Sequence, residues 1–337
     1  MTMRAGIKAM LITLDSLIAR CSLATRNEHG VLLSFLFHSL FDEPGKSLSE
    51  NMDPQQSITV EMFRRFVGHF QDRSYTFVSL SDISKGLRPE GKYVLVTFDD
   101  GYYNNIRAIP VLEEFGAPAV LFPSSGHVKQ GKAFWWDAVD REMRRRGRSA
   151  KERRQMFAEL LRLKTADAEA RVRERFGAGA LQTVGDLDRP FTRSELRDCA
   201  NHPLISLGNH TSDHAILTNY SAAEIREQIQ AAQDDIWSMT GKSPEIIAYP
   251  NGSESREIVD AARNVGLQLG LGVAPGWNRL PIQPGSQDAM RLKRFTLWGE
   301  RPIEPQCDMS RSEFSLYRLA RSLKRKAQQG LSPLRRA

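Results

Sequence analysis

The chain has 337 residues, and its hydrophobic content of 41% and aromatic content of 8% exclude general disorder and allow one barrel-sized domain or two smaller ones. Its net charge of +7 is unevenly spread: residues 141–175 hold 13 Lys and Arg against 6 Asp and Glu, and residues 311–337 hold 8 against 1. The three cysteines have an odd count and no CxxC spacing, which indicates a reducing compartment without a disulfide framework.

Residues 1–28 are predicted to form an N-terminal amphipathic segment. Its apolar run, 9–14, is short and is followed by Asp15, and no small-residue cleavage site is evident by Cys21. We therefore expect neither a signal peptide nor a membrane span. One helical face would carry Met3, Ile7, Met10, Leu11, Leu14 and Leu17. Such a face would pack on the rest of the protein or lie on a membrane surface.

Strand and helix patterns alternate through residues 29–300. Strands are predicted at 31–37, 76–80, 93–98, 119–122, 204–207, 246–249, 267–273 and 291–297, and helices at 60–71, 105–115, 221–240 and 256–264. Ser221 and Glu224 form a capping-box pattern that opens the third of these helices. Repeated strand–helix units of this kind imply a parallel sheet of the α/β class.

A basic helical insertion at about 138–190 interrupts the alternation, and 301–337 form a basic C-terminal tail. The simplest interpretation is an exposed helical surface followed by a loosely packed tail. The alternative is attraction to an anionic membrane surface or to a phosphate-bearing substrate. No nucleic acid is expected, because the charge lacks an aromatic stacking surface or a recognisable binding module.

The most informative stretch is the apolar strand at 93–98, which ends in Asp99 and Asp100. Two adjacent carboxylates at the end of a buried strand need a cation or a basic partner, unless both are solvated in an Asp-Gly turn. His210 and His214 are four residues apart and follow another strand, so a helix or a tight turn can present both on one side. Two His and one Asp suit a divalent ion with open positions for water and substrate. The two motifs together predict a metal site.

These motifs resemble those of the polysaccharide deacetylase family, also called the NodB-homology domain or carbohydrate esterase family 4. Residues 97–101 (TFDDG) resemble its first motif and 210–214 (HTSDH) its second. Weaker matches are 247–252 (IAYPNG), 134–137 (FWWD) and 36–38 (LFH). The resemblance covers roughly 31–298. It implies a distorted (β/α) barrel and a metal-dependent hydrolase that removes an N-acetyl group from a sugar, in the biosynthesis of cell-surface polysaccharide or glycolipid.

The resemblance also implies roles for individual residues. Asp100, His210 and His214 would bind the metal, taken as Zn²⁺ with Co, Ni or Mn also compatible. Asp99 would be the general base, and the backbone N–H of Asn251 would bind the oxyanion. Thr211 would orient the loop backbone. Substrate contacts are assigned to Tyr102, Trp135, Trp136, Tyr249 and Pro250, with core packing as the alternative for the two tryptophans.

The chain departs from the family pattern in its proton donor. No His follows His214, although the family places its general acid near the last strand. That strand carries Arg294, which can hold Asp99 in place but does not release a proton near neutral pH. His38 on the first strand is the candidate acid, with a structural histidine as the alternative.

Two further functions stay open on these residues. O-deacetylation or deformylation would use the same metal site, and a catalytically silent glycan-binding domain would explain the missing histidine. We expect a cytoplasmic protein, peripheral at the inner face of the membrane. In that location, we expect the substrate to be a nucleotide-linked or lipid-linked N-acylated sugar rather than finished polymer.

Overall fold

The computed structural model describes residues 14–15, 17–19, 21–23, 27–43 and 55–312. Most of the amphipathic N-terminal face, and the basic tail from residue 313 onward, lie outside the described residues. The described pieces of the first segment between 14 and 23 are helical. None of the described helices is both long and apolar enough to cross a bilayer.

Short strands form the centre of the molecule. They are β1 (Val31–Phe37), β2 (Leu40–Phe41), β3 (Ile58–Thr59), β4 (Thr76–Phe77), β5 (Lys92–Phe98), β6 (Ala119–Leu121), β7 (Ile205–Leu207), β8 (Ile246–Ala248), β9 (Leu269–Leu271), β10 (Asn278–Arg279) and β11 (Phe295–Thr296). β1, β5, β6 and β7 are parallel neighbours, β8 pairs in parallel with β9, and β11 pairs in parallel with β1.

Two single bridges close these strands into a ring. Asn209 bridges to Ile247, which joins β7 to β8, and Leu271 bridges to Leu292, which joins β9 to the segment before β11. The predicted distorted (β/α) barrel is therefore confirmed. The distortion arises where the ring depends on single bridges rather than on ladders, as between β7 and β8.

Most of the helices cover the outside of the barrel. The helices are α1 (Val60–Gln71), α2 (Leu80–Lys85), α3 (Ile109–Phe115), α4 (Ser125–Gln130), α5 (Trp135–Arg145), α6 (Ala150–Leu160), α7 (Thr165–Phe176), α8 (Arg193–Ala200), α9 (Ala222–Thr240), α10 (Arg256–Asn264) and α11 (Ile303–Ser312). The predicted bounds of α1 and α10 are confirmed, and so is the capping box of α9 at Ser221 and Glu224.

Several predicted elements are wrong in part, and three of them have a local cause. The strand at 76–80 ends at Phe77, because the Ser79 side chain and Asp82 form a capping box that starts α2. The helix at 105–115 begins as a 3₁₀ helix, Tyr103–Ala108, before α3. The strand at 291–297 is reduced to β11 because a 3₁₀ turn, Ala289–Arg291, precedes it.

Successive side chains along a strand point to opposite faces of the sheet, so the strands contribute to two separate hydrophobic clusters. Phe35, Phe37 and Val96 pack outward against α1 and α3, whereas Leu95 and Leu271 belong to a separate cluster in the barrel interior. Strands that are covered on both faces read as continuous apolar runs, which is the pattern of 31–37 and 93–98. Their carboxyl ends meet at one rim of the barrel, where the loops carry polar residues.

The insertion between β6 and β7 contains α5, α6 and α7, which pack around their own apolar cluster. Its first helix begins at Trp135, a few residues earlier than the predicted boundary. At the other end of the chain, α11 occupies the first part of the predicted tail and is packed rather than loose. Arg311 is buried and bridges Glu28 and Asp308 at 2.8 and 2.9 Å.

Candidate metal centre and active-site pocket

Asp100, His210 and His214 converge at the carboxyl rim of the barrel. Asp100 Oδ1 lies 3.4 Å from His210 Nε2 and 3.3 Å from His214 Nε2. This oxygen is buried and makes no hydrogen bond within the described residues. A buried carboxylate oxygen without a hydrogen-bond partner is costly unless a cation compensates it. The three ligand atoms lie within 4.8 Å of one another, so the set fits a divalent metal ion.

The orientation of His210 is set by the neighbouring strand. Its Nδ1 lies 2.8 Å from the carbonyl oxygen of Ala248 in β8. A carbonyl only accepts, so Nδ1 carries a proton, and Nε2 is the ring nitrogen that faces Asp100. Backbone contacts of this kind fix the tautomer of metal-binding histidines.

The loop that carries both histidines is a tight turn rather than a helix. The Asn209 side chain accepts a hydrogen bond from Thr211 N at 2.9 Å, and Thr211 Oγ1 accepts one from Ala215 N at 2.7 Å. Thr211 and His214 have φ values of 61° and 50°. Thr211 thus orients the loop backbone, which is the role that the family resemblance implies for it.

Left-handed backbone recurs around the site. Asp100 has φ 73°, and Asn251 in the loop after β8 has φ 53°. Non-glycine residues in this region cost of order 1–3 kcal/mol each and concentrate at functional sites. Gly101, at φ 84°, cannot be replaced without a shift, because a Cβ there would lie 2.7 Å from the Cα of Pro123.

Burial and neighbouring charges set the protonation of the site. Burial lowers the pKa of His214 to about 4, so this ring is neutral at pH 7. Burial acts in the same direction on His210, but Asp99 and Asp100 raise its pKa above the ordinary value. Burial would raise the pKa of Asp100, yet the imidazoles of His38, His210 and His214 lower it well below its usual range. The carboxylate is therefore ionised and can serve as a ligand.

Asp99 is held by Arg294 from the last strand region. Arg294 Nη1 and Nη2 donate to Asp99 Oδ1 and Oδ2 at 2.7 and 2.8 Å, and both side chains are buried. Nε donates to Gly272 O and Nη1 also donates to Thr97 Oγ1. Burial would raise the pKa of Asp99, but the Arg294 charge lowers it. The structure thus places the predicted base beside a fixed cation that keeps it ionised.

His38 follows β1 and is held by Gln56, a residue that the sequence did not identify. Gln56 Nε2 donates to Leu36 O at 2.7 Å, which fixes the amide orientation. Its Oε1 lies 2.9 Å from His38 Nδ1, so Nδ1 must donate. The other ring nitrogen, Nε2, is left for the pocket. The adjacent Gln55, at φ 42°, donates to Asp100 Oδ2 at 3.2 Å.

A pocket of about 270 Å³ opens above these groups. Its polar side is formed by His38, Gln55, Asp100, His214 and Asn251, and its apolar side by Trp135, Trp136, Phe157, Leu161 and Ile216. The Asn251 backbone N–H has no hydrogen-bond acceptor within the described residues. The pocket therefore brings together Asp100, His214, His38, Asn251 and both tryptophans, whereas His210 and Asp99 are buried and are not among its lining residues.

The structure places three of the predicted substrate contacts away from the pocket lining. Tyr249 and Pro250 are buried and do not line the pocket among the described residues. Ala248 faces the barrel interior, so Tyr249 points outward and donates to Met290 O at 3.1 Å. Tyr102 is also fully buried: it donates to Asp137 at 2.7 Å and accepts from Trp136 Nε1 at 2.8 Å. It fastens the insertion to the loop after β5.

Sequence comparisons find a matching family and a relative of this chain. A sequence profile of the polysaccharide deacetylase family matches residues 86–270. YxkH of Bacillus subtilis (strain 168), which carries the same family name, is 23% identical over 198 residues, covering 58% of this chain and 49% of YxkH. The chain thus spans about half the length of this curated relative.

Solved structures share the fold. BC0361, a polysaccharide deacetylase from Bacillus cereus, is 17% identical, covers 84% of this chain and 69% of its own, and superposes with a TM-score of 0.57. The Streptococcus pyogenes deacetylase PplD, solved with acetate, is 16% identical and covers 84% and 99%, with a TM-score of 0.57. The profile match includes both motifs and more than half of the residues, and the chain therefore belongs to the polysaccharide deacetylase family, a family of hydrolases.

Proposed function

We propose that this protein hydrolyses the N-acetyl group of a sugar with the help of a divalent metal ion held by Asp100, His210 and His214. One observation carries the proposal. The buried Asp100 Oδ1 has no hydrogen-bond partner within the described residues, and it faces two imidazole nitrogens at the base of an open pocket. Membership of the family supplies the reaction class.

Hydrolysis of an amide needs an activated water, a stabilised oxyanion and a proton for the departing amine. A divalent ion, when bound, would polarise the acyl oxygen and lower the pKa of a coordinated water. Asp99, kept ionised by Arg294, accepts the proton of the attacking water. The Asn251 N–H donates to the acyl oxygen, which becomes negative as the water attacks the carbonyl carbon and returns to a carbonyl as the C–N bond breaks.

His38 donates the proton that the leaving amine needs. It lines the pocket, and its Nδ1–H is occupied by Gln56, so Nε2 is the atom that gives up a proton and later regains one. His38 thus takes the place of the histidine that the chain lacks after His214. The reaction ends with acetate and a free amine, in cell-surface polysaccharide or glycolipid biosynthesis.

The test is metal-dependent acetate release from an N-acetylglucosamine oligomer, with Zn²⁺, Co²⁺, Ni²⁺ and Mn²⁺ compared and Zn²⁺ expected to bind most tightly. Asp99→Asn should bind the metal and lose turnover, whereas Asp100→Asn should lose both. O-acetylated and N-formylated sugars serve as parallel substrates, and preference for either would replace the N-acetyl proposal. Metal binding without release of any acyl group would favour a silent glycan-binding domain.

We further propose that the protein acts in the cytoplasm, at the inner face of a membrane. Lys151, Arg154, Arg162, Arg171 and Arg175 are exposed and have no ion-pair partner within the described part of the chain. Exposed cations of this kind are attracted to anionic head groups by about 1 kcal/mol each, and salt weakens the attraction.

Vesicle sedimentation tests this location. The protein should sediment with phosphatidylserine-containing vesicles at low salt and remain free with phosphatidylcholine alone. Arg154→Gln combined with Arg162→Gln should weaken binding more than Arg145→Gln, because Arg145 already pairs with Glu142 at 2.7 Å. Equal binding to both vesicle types would contradict the proposal.

A further inference from the structure

The apolar side of the pocket comes largely from the helical insertion rather than from the barrel. Trp135 and Trp136 begin α5, Phe157 lies on α6, and Leu161 directly follows it. Phe157 and Leu161 are four residues apart, so both project from the same side of the helix. The ring of Phe157 lies 5.7 Å from that of Trp135. The insertion therefore forms one continuous wall beside the metal ligands.

The two tryptophans contribute little free surface to this wall. Trp136 stacks on Phe134 with ring centroids 4.6 Å apart and an interplanar angle of 18°, and its other contacts include His214 at 4.6 Å. Trp135 and Trp136 are only 4% and 7% exposed. A sugar ring usually binds to an open aromatic face that is flanked by hydrogen-bonding groups. Here those faces are already covered by protein.

The accessible part of the wall consists of hydrocarbon. Leu161 is 38% exposed, and Phe157 and Ile216 are half-buried. None of these three side chains can donate or accept a hydrogen bond, whereas a sugar ring carries several hydroxyl groups that need hydrogen-bond partners. A saturated chain gains about 0.8 kcal/mol for each methylene that leaves water on such a surface.

The wall is fixed to the loop that carries the metal ligands. Asn219, shortly after His214, donates through Nδ2 to the carbonyl oxygens of Leu161 and Leu163, both at 3.0 Å. The Tyr220 hydroxyl accepts from Thr165 N at 2.8 Å. Three hydrogen bonds thus hold the segment after α6 at a set distance from the metal site. A pre-formed surface binds its ligand without the loss of entropy that ordering a loop would cause.

We propose that Phe157, Leu161 and Ile216 form a subsite for an apolar aglycone, so that the substrate is a sugar carrying a hydrocarbon chain rather than an internal unit of a polymer. The inference rests on the proposed deacetylase function. The N-acetyl group would lie at the polar side of the pocket and the chain along the insertion. Leu161 and Phe157 are then specificity-determining residues, and Asn219 is a positioning residue.

The test compares octyl and methyl glycosides of N-acetylglucosamine, each below its micelle concentration. The wild-type protein should prefer the octyl glycoside by about tenfold in kcat/KM, through a lower KM, which corresponds to roughly two methylenes leaving water. Leu161→Asn should remove most of this preference by raising the KM for the octyl glycoside toward that for the methyl glycoside. Val184→Asn is the matched control: Val184 is 59% exposed in the same insertion but does not line the pocket.

Binding measured apart from turnover separates this inference from the proposed activity. Tryptophan fluorescence titration of the metal-loaded protein should show tighter binding of the octyl than of the methyl glycoside, and Leu161→Asn should abolish the difference. If this difference in affinity is observed but no acetate is released, the proposed deacetylase activity is wrong and the proposed subsite is still supported. Equal affinity and equal kcat/KM for both glycosides, or an equal loss in Val184→Asn and Leu161→Asn, would overturn the subsite.

Discussion

Arg294 and Asp99 form a bidentate ion pair in the barrel interior, with both guanidinium–carboxylate distances below 2.9 Å. The two residues are far apart in the chain, and β11 reaches β5 only through β1, with which both pair in parallel. Arg294 keeps the proposed base Asp99 ionised and fixes the positions of both carboxylate oxygens. The pair also makes the fold dependent on that base, because both charges are buried and each needs the other as its partner.

Arg294→Met should lower the free energy of unfolding by about 3–5 kcal/mol, because it leaves a buried carboxylate without its partner. Urea unfolding of the metal-free protein measures this loss. The double variant Asp99→Leu, Arg294→Met removes both charges and should recover much of it. A double variant as unstable as the single one would show that packing, rather than the unpaired charge, causes the loss.

Metal binding should stabilise the protein by mass action. At a metal concentration of about 100 times Kd, the gain is about 2.7 kcal/mol, which a chelator should reverse. Thermal unfolding with and without Zn²⁺ measures it. Asp99→Asn should keep the gain and His210→Ala should lose it. An equal response of His210→Ala and wild type would remove His210 from the ligand set.

Gln56→Met should lower kcat by about tenfold or more, since general acid catalysis depends on a correctly oriented ring. The Nδ1–H of His38 would lose its acceptor, and the ring could rotate away from the pocket. Metal affinity and KM should stay unchanged, because Gln56 contacts neither the ligands nor the pocket surface among the described residues. Gln56→Glu, which keeps an acceptor, should retain more activity. An unaffected kcat in Gln56→Met would argue that His38 is structural.

The protein should become less stable in acid, because the ion pairs of Arg311 with Glu28 and Asp308 hold α11 to the rest of the fold and need ionised carboxylates. Burial would raise the pKa of Glu28, but hydrogen bonds from Arg311 and Tyr75 lower it below its ordinary value. Burial would also raise the pKa of Asp308, but His69 and Arg311 lower it in the same way. Because both folded-state pKa values are depressed, their contribution is complete above about pH 4.5 and disappears as pH falls below it. Urea midpoints between pH 6 and pH 3 measure the decline, which should be shallower in Arg311→Met.

Tyr249→Phe should leave KM and kcat unchanged and reduce stability by about 1 kcal/mol, the value of one hydrogen bond. The reason is its outward orientation, with the hydroxyl on Met290 O rather than in the pocket. Steady-state kinetics and urea unfolding measure the two effects. A raised KM in Tyr249→Phe would support the predicted contact between Tyr249 and the substrate.

Local sequence signals predicted most of the fold. The continuous apolar runs of β1 and β5, the apolar periodicity of α1 and the capping box of α9 each depend on neighbours a few residues away. The short strands were predicted less well, as at 267–273, because β9 is held by partners distant in sequence. Gln56 was missed for the same reason, since its role depends on His38, 18 residues away.

By itself, the sequence determined the chemistry available to this protein: two carboxylates at the end of a buried strand, two histidines four residues apart, and a basic helical insertion. Only the tertiary structure decided how these groups divide their work. It paired Asp99 with Arg294, left Asp100 facing the imidazoles, turned Tyr249 away from the pocket and brought Leu161 to its edge. Residue type and spacing are local properties, whereas the direction of a side chain depends on strand register and on which distant segments close the barrel.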